Sequence, residues 1–231
     1  MAHTKDFDFD VIIIGGSYAG LSAAMALGRS LRKVLVIDNG IPCNRQTPHS
    51  HNFLTQDGKT PKEISTLAKQ QVEEYDTVKF HKGLATIGTK TPNGFEITTE
   101  TNEKFTGKKL IFATGIKDIM PDIKGFADCW GISIIHCPYC HGYEYKSQKT
   151  AIFANGARAY HIASLVNNLT NNIIILTAEK ADFTSEQKDK LNKHDIKVIE
   201  TKISEFENKN GHLQNVVFDE SFSFVFIQQV N

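Results

Sequence analysis

The sequence has no long apolar run. Nowhere do about 20 predominantly apolar residues follow one another, the length a membrane-spanning helix requires, so no membrane partner is expected. It has no net charge either: 26 basic residues balance 26 acidic ones. That removes the electrostatic reason to expect nucleic acid or an anionic lipid surface as a partner. Met1 to Asp10 alternates charged residues with Phe and lacks the basic-then-apolar form of a secretory signal, so a cytoplasmic location is expected. Cysteine is scarce. Four are present, Cys43, Cys129, Cys137 and Cys140, and in a reducing compartment so small a set points to catalysis or metal binding rather than to structural cross-links. Only one pair has motif spacing, and no second Cys-x-x-Cys exists to complete a structural zinc set.

What is present is a run of α/β signals. The length, 231 residues, suits one large domain or two small ones. Val11-Ile12-Ile13-Ile14 has no polar alternation and reads as a buried parallel strand. Gly15-Gly16-Ser17-Tyr18-Ala19-Gly20 turns the chain into an Ala- and Leu-rich helical stretch, Leu21 to Leu31, and Val34 to Asp38 is a second buried strand. This is a complete β-α-β unit. A helix is expected over Pro61 to Tyr75, with Thr60 as N-cap, Pro61 in its first position and Glu63 three after the cap. Short strands are expected at Val78–His81, Ala85–Thr89 and Phe95–Thr99, the last entered through Pro92-Asn93-Gly94. Lys109 to Ala113 is another buried strand, ended by Thr114-Gly115. A second β-α-β pattern follows: strand Thr150–Ala154, helix Ala157–Leu169, strand Ile173–Leu176. Then come a helix over Ser185–His194, capped by Thr184 or Ser185, and strands at Lys197–Ile199 and Val216–Phe218. The tail, Ser221 to Asn231, is short, aromatic and uncapped, unlike the end of a compact domain.

Two motifs carry chemistry. The first is the turn after the first strand. A dinucleotide site needs small residues there, so that backbone N–H groups can approach a pyrophosphate at a helix N-terminus. Gly15 and Gly20 hold the outer positions of G-x-G-x-x-G; Ser17 replaces the middle glycine, while Gly16 and Ala19 keep the turn small. Asp38 ends the second strand 18 residues after Gly20, where a carboxylate accepts bonds from ribose hydroxyls. The second motif is Cys137-Pro138-Tyr139-Cys140. Two thiols at this spacing can close into a disulfide and reopen, carrying two electrons. At a turn near a helix N-terminus one of them can gain thiolate character. The residues also fit a zinc half-site recruiting His136, His141 or Cys129, or a pair of inert thiols; the nucleotide signature upstream favours redox. His141 adjoins the pair and is suited to exchange its protons. Glu144 reads as a surface carboxylate or a support for that histidine, and Cys43 and Cys129 read as packing residues.

Together these residues resemble the low-molecular-weight thioredoxin reductase family of flavoproteins, over most of the chain. The resemblance implies an α/β fold of two Rossmann-like nucleotide-binding lobes, each of three layers. The FAD-binding lobe would span 1–116, and a pyridine-nucleotide-type lobe carrying the redox pair would span 117–231. Gly15 to Gly20 with Asp38 and Asn39 looks like the family's FAD pyrophosphate and ribose site. Asn44 to Gly58, including Arg45 and Asn52, looks like the loop passing near the flavin, and Ala113-Thr114-Gly115 like the second FAD contact. Cys137 to Glu144 falls where the family keeps its redox disulfide. The resemblance thus implies catalytic Cys137, Cys140 and His141, FAD as cofactor, no metal, a thiol or disulfide substrate, and a homodimer. His141 after the second cysteine is closer to the branch of fungal dithiol oxidases; thioredoxin reductases proper have Asp there. By that analogy Cys140 faces the flavin and Cys137 exchanges with substrate.

Two departures qualify the expectation. The second glycine turn, Ala154-Asn155-Gly156-Ala157-Arg158-Ala159, keeps only Gly156 and Ala159. Where an arginine pair would hold the NADPH 2′-phosphate stands Thr177-Ala178-Glu179-Lys180, a poor phosphate clamp. The electron partner is therefore open between NADPH, NADH and oxygen, and a non-catalytic nucleotide-binding or redox-sensing role is the remaining alternative. The family also returns to its FAD lobe after the second lobe, through a Gly-Asp motif not found before Asn231, so an incomplete FAD lobe is expected.

Overall fold

A computed structural model describes residues 8–219 and the backbone of Ser223–Val225. It divides into two compact units. One comprises residues up to Arg45 together with Lys59–Asp118; the other comprises Gln46–Gly58 together with residues from Ile119 onward.

The first unit is built on one six-stranded sheet. In chain order its elements are β1 (Phe9–Ile14), α1 (Tyr18–Arg29), β2 (Val34–Asp38), α2 (Pro61–Glu73), β3 (Val78–Lys82), β4 (Ala85–Thr91), β5 (Gly94–Thr99) and β6 (Lys104–Phe112). The strand order is β3-β2-β1-β6-β5-β4. β1 pairs in parallel with β2 and β6, and β2 with β3, whereas β4, β5 and β6 are antiparallel. Successive side chains in a strand point to opposite faces, which explains why β1 and β2 are apolar without alternation. Val11, Ile13, Val34 and Val36 pack with Leu21, Ala24 and Val72 of the helices, while Ile12, Leu35, Ile37 and Ile97 form a separate cluster. β6 starts five residues before its apolar run. Its polar half, from Lys104, pairs antiparallel with β5, and Gly107 is where it also meets β1 (Phe9↔Gly107, Phe95↔Gly107). One strand thus serves two neighbours of opposite direction, and the apolar run marks only its second half; that half is a strand as expected but is not buried, since Leu110 and Ile111 are half-buried and Phe112 is 73% exposed. α2 carries the expected capping box: Glu63 N–H donates to Thr60 Oγ1 at 3.2 Å and Thr60 N–H to Glu63 Oε2 at 2.8 Å.

The second unit contains α3 (Phe126–Cys129), α4 (Pro138–His141), a 3₁₀ turn (Tyr143–Tyr145), β7 (Thr150–Phe153), α5 (Gly156–Val166), β8 (Ile173–Leu176), α6 (Ser185–Lys193), β9 (Lys197–Ile199), β10 (Ile203–Lys209), β11 (His212–Phe218) and β12 (Ser223–Val225). β7, β8 and β9 form a parallel sheet in that order, and β10-β11-β12 an antiparallel one. β8 sits between two apolar layers. Ile173 and Ile175 pack with Ala159, Ala163 and Leu191 of the helices; Ile174 and Leu176 pack with Phe206, Val216 and Phe218 of the antiparallel sheet. That is the expected helix-sheet-sheet layering. Thr184 rather than Ser185 caps α6, in a box with Gln187. β10 was not expected, although Asn210-Gly211 after it is a strong hairpin signal. Of the tail, only the backbone of Ser223–Val225 is described, paired antiparallel with β11; the rest lies outside the described residues. Cys129 is fully buried, as expected of a packing residue, but Cys43 is exposed. Cys43 lies in the loop after β2, where no element covers it, so the packing expectation fails there.

Candidate functional site

In the first unit the turn between β1 and α1 is drawn tightly against its surroundings. The Gly15 N–H donates to the Ile37 carbonyl at 2.8 Å, and the Ala113 N–H to the Ile14 carbonyl at 2.8 Å. Gly15 has φ +106°, and a Cβ on it would lie 2.2 Å from the Ala113 carbonyl oxygen; one on Gly20 would lie 1.9 Å from the Gly15 carbonyl oxygen. Only glycine fits at either position. The Gly16 N–H donates to Asp38 Oδ1 at 3.0 Å and the Gly40 N–H to Oδ2 at 3.1 Å. Each carboxylate oxygen is held by one amide and keeps further acceptor capacity. Ser17 is the N-cap of α1 in extended conformation, and its side chain makes no capping bond.

This arrangement fits an adenine dinucleotide: a turn stripped of side chains at the head of a twelve-residue helix for the pyrophosphate, and an oriented carboxylate at the end of β2 for the ribose. Ala19 and Asn39 are exposed beside it, and Ala113, Thr114 and Gly115 follow β6, the last with φ +66° and open space around its Cα. Arg45 is exposed and donates to the Pro42 carbonyl at 3.2 Å. Asn52 is different. It lies in the segment belonging to the second unit, and its N–H donates to Asp57 Oδ1 at 2.8 Å.

In the second unit the cysteine pair sits at the start of α4. Cys137 is the N-cap and Pro138 takes the first helical position, where its missing N–H costs nothing. Cys140 and His141 follow three and four residues after Cys137, so all three lie on one turn. Both thiols are free and half-buried. The Cys140 thiol is pushed up from 9.0 to about 11, first by its hydrogen bond with Cys137, then by burial and by the Cys137 charge. Proximity to a helix start therefore does not make Cys140 the more acidic thiol; it holds its proton at neutral pH. Gly142 closes the turn, since a Cβ there would lie 2.3 Å from the Pro138 carbonyl oxygen.

Gln46–Gly58 brings two further histidines to this turn. His141 Nε2 lies 3.2 Å from the His49 carbonyl oxygen, and the His51 ring meets the His141 ring edge-on at 6.2 Å. His51 Nδ1 lies 3.6 Å from Glu144 Oε1 and 3.7 Å from Asp57 Oδ2. Sequence reasoning left out the role of His49 and His51, because nothing local links them to a turn some 90 residues away. His136 is exposed and packs edge-on to Trp130. Among the described residues no group of three or more His, Cys, Asp or Glu is placed to hold a metal ion, and no helix is long and apolar enough to cross a membrane.

The second β-α-β turn is occupied by its own side chains. Asn155 Oδ1 accepts from the Gly156 N–H at 2.7 Å and the Asp182 N–H at 2.9 Å, while Asn155 Nδ2 donates to Glu179 Oε1 at 3.3 Å. The Gly156 N–H at the start of α5 is thus taken by Asn155, and the Glu179 carboxylate is bonded to the same side chain, where a pyrophosphate would need free donors.

The chain thus combines two Rossmann-like units, one with a glycine turn at the head of α1 and one with a Cys-x-x-Cys pair. The chain belongs to the pyridine nucleotide-disulphide oxidoreductase family, which it matches over residues 9–224. It is 36% identical over 174 residues to thioredoxin reductase tcpT of Claviceps purpurea, covering 72% of this chain and 54% of that one. It is 33% identical over 204 residues to thioredoxin reductase aclD of Aspergillus oryzae, covering 84% and 65%. The chain therefore spans about half to two thirds of the length of these curated relatives. Among solved structures it is similar to an oxidoreductase from Agrobacterium tumefaciens, with 37% identity and a TM-score of 0.86, covering 94% of this chain and 72% of that one.

Proposed function

We propose that the protein is a flavin-dependent dithiol/disulfide oxidoreductase of the thioredoxin reductase type, in which two electrons pass between FAD and a thiol or disulfide substrate through Cys137 and Cys140. The single observation that carries this reading is the placing of two free, half-buried thiols and His141 on one turn. FAD, when bound, supplies a two-electron acceptor or donor. Its adenosine end is assigned to Gly15, Gly16, Ser17, Ala19, Gly20, Asp38 and Asn39, with Arg45, Asn52, Ala113, Thr114 and Gly115 as further contacts.

In the oxidising direction a substrate thiolate attacks Cys137 Sγ of the closed pair. The Cys137–Cys140 bond breaks, a substrate–Cys137 disulfide forms, and Cys140 leaves and takes a proton. The second substrate thiol then displaces Cys137. The substrate is now a disulfide, and the pair holds two electrons and two protons. As the pair closes again it gives up those two electrons and the Cys137 proton, which FAD, when bound, would take up, and His141 accepts the proton that Cys140 gives up. Cys140 holds its proton at neutral pH, so closing the pair again requires a base to take it.

A specific observation favours oxidation of a dithiol, with oxygen as acceptor, over reduction by NADPH. Asn155 Oδ1 takes the Gly156 and Asp182 N–H groups and Asn155 Nδ2 bonds Glu179, so the second turn has its donors engaged where that reading would need them for a nucleotide phosphate. The test is an absorption spectrum of purified protein, followed by oxygen uptake with dithiothreitol and anaerobic flavin reduction by NADPH and by NADH. A flavin band near roughly 450 nm, oxygen uptake and no reduction by either nucleotide is the expected result. Rapid reduction by NADPH overturns the oxidase direction; a colourless protein that does not take up FAD overturns the flavoenzyme reading. Cys140→Ser is expected to abolish turnover while FAD stays bound. A homodimeric assembly and a cytoplasmic location belong to the same proposal, and light scattering checks the first.

A further inference from the structure

A carbonyl oxygen only accepts hydrogen bonds, so the contact between His141 Nε2 and the His49 carbonyl at 3.2 Å requires the proton on Nε2. The neutral ring then offers its lone pair at Nδ1 alone. Which nitrogen of His141 can act as a base is thus decided by where the His49 carbonyl sits.

That carbonyl belongs to a segment folded on itself. The His49 ring Nδ1 donates to the Gly58 carbonyl at 3.0 Å, the Gly58 N–H to the Ser50 carbonyl at 2.8 Å and the Gln56 N–H to the Phe53 carbonyl at 2.9 Å. Its link to the dithiol turn beside His141 is the approach of His51 to Glu144, three residues beyond His141, at 3.6 Å, with Asp57 of the segment 3.7 Å away on the same nitrogen. We propose that His51 and Glu144 are positioning residues for His141. Their contact holds residues 46–58 against the dithiol turn, so that the His49 carbonyl keeps the proton on His141 Nε2 and leaves Nδ1 open to take a thiol proton. In that transfer the S–H bond of the thiol breaks and an N–H bond forms at Nδ1, giving an imidazolium whose second N–H still points to His49.

The inference rests on the reading of Cys137–Cys140 as a dithiol served by His141, and its test needs neither flavin nor turnover. Ring-nitrogen NMR of the full chain, with both cysteines reduced and at a pH where the ring is neutral, reads the tautomer of His141 directly. Two widely separated nitrogen shifts with the proton on Nε2 are expected for the native protein. In His51→Leu and in Glu144→Gln that separation is expected to collapse toward the average of two exchanging tautomers. His51→Arg, which keeps an N–H donor facing Glu144, is expected to restore it. Glu144→Gln keeps the side-chain shape, so it serves if His51→Leu fails to fold. A fixed Nε2–H tautomer surviving in Glu144→Gln, or a native His141 protonated at Nδ1, overturns the inference. If the tautomer behaves as expected but His141→Gln leaves thiol oxidation unchanged, the positioning stands and the proton-transfer role falls.

Discussion

The backbone amide of Gly16 donates to Asp38 Oδ1 at 3.0 Å, joining the first turn of one β-α-β unit to the end of its second strand. A Cβ on Gly16 would lie 2.9 Å from the Asp38 Cβ. The glycine thus lets the carboxylate come under the turn, where it can face a ribose. Hydrogen bonds to a charged acceptor contribute about 1.5–3 kcal/mol each. Asp38→Ala is therefore expected to weaken FAD binding by at least about tenfold, read from flavin fluorescence during titration of the apoprotein. An unchanged dissociation constant removes Asp38 from the cofactor site.

Gly15 places a backbone requirement on the same turn. With φ +106° and the Ala113 oxygen 2.2 Å from any Cβ, Gly15→Ala must shift the β1–α1 turn away from the end of β6. A loss of about 2 kcal/mol or more in unfolding free energy is expected from the strained backbone and the clash together. Urea denaturation measures it, and a loss below half of that shows that the turn relaxes freely.

The two long helices of the first unit begin differently. Thr60 caps α2 through its side chain, whereas the Ser17 side chain makes no capping bond to α1. Thr60→Ala is expected to cost about 1 kcal/mol, and Ser17→Ala less than about 0.5 kcal/mol. Equal losses in paired urea titrations contradict the assignment.

Cys140 supplies a pH prediction. In the reduced protein its thiol is raised from 9.0 to about 11, chiefly by the hydrogen bond with Cys137. Because alkylation consumes thiolate, modification of Cys140 by iodoacetamide should climb toward pH 11. Cys137→Ala removes the largest cause and the neighbouring charge, leaving burial, so the climb should move to lower pH. The folded state holds this proton more tightly than the unfolded chain, so the stability of the reduced protein should fall as pH rises from about 9 toward 11. Peptide mass spectrometry across pH checks the first two statements; an identical profile in the variant removes Cys137 as the cause.

His141 is expected to matter to rate rather than to cofactor binding. His141→Ala should slow dithiol oxidation by about a hundredfold, the scale of a lost general base, with flavin content unchanged. Stopped-flow reduction of the bound flavin by dithiothreitol separates the two. A native rate in the variant assigns the proton to another acceptor.

Local pattern alone determined much of this protein. The runs Val11–Ile14, Val34–Asp38 and Ile173–Leu176 could only be buried strands, because continuous apolar side chains need cover on both faces. Gly15, Gly20 and Asp38 announced a tight strand-helix turn with a carboxylate beneath it, because the spacing of a β-α-β unit is short and covalently fixed. Thr60-Pro61 with Glu63 announced where α2 begins. Other features depended on partners distant in the chain. The polar half of β6 became a strand because β5 offered an antiparallel edge. Cys43 stayed exposed while Cys129 was buried, a difference that composition does not encode. Above all, residues 46–58 joined the second unit, bringing the His49 carbonyl and the His51 ring to His141. Hydrogen-bond and ring contacts at separations of 90 residues leave no period and no motif in a sequence. Only the folded chain, which trades conformational entropy for long-range contact, settles which of them form.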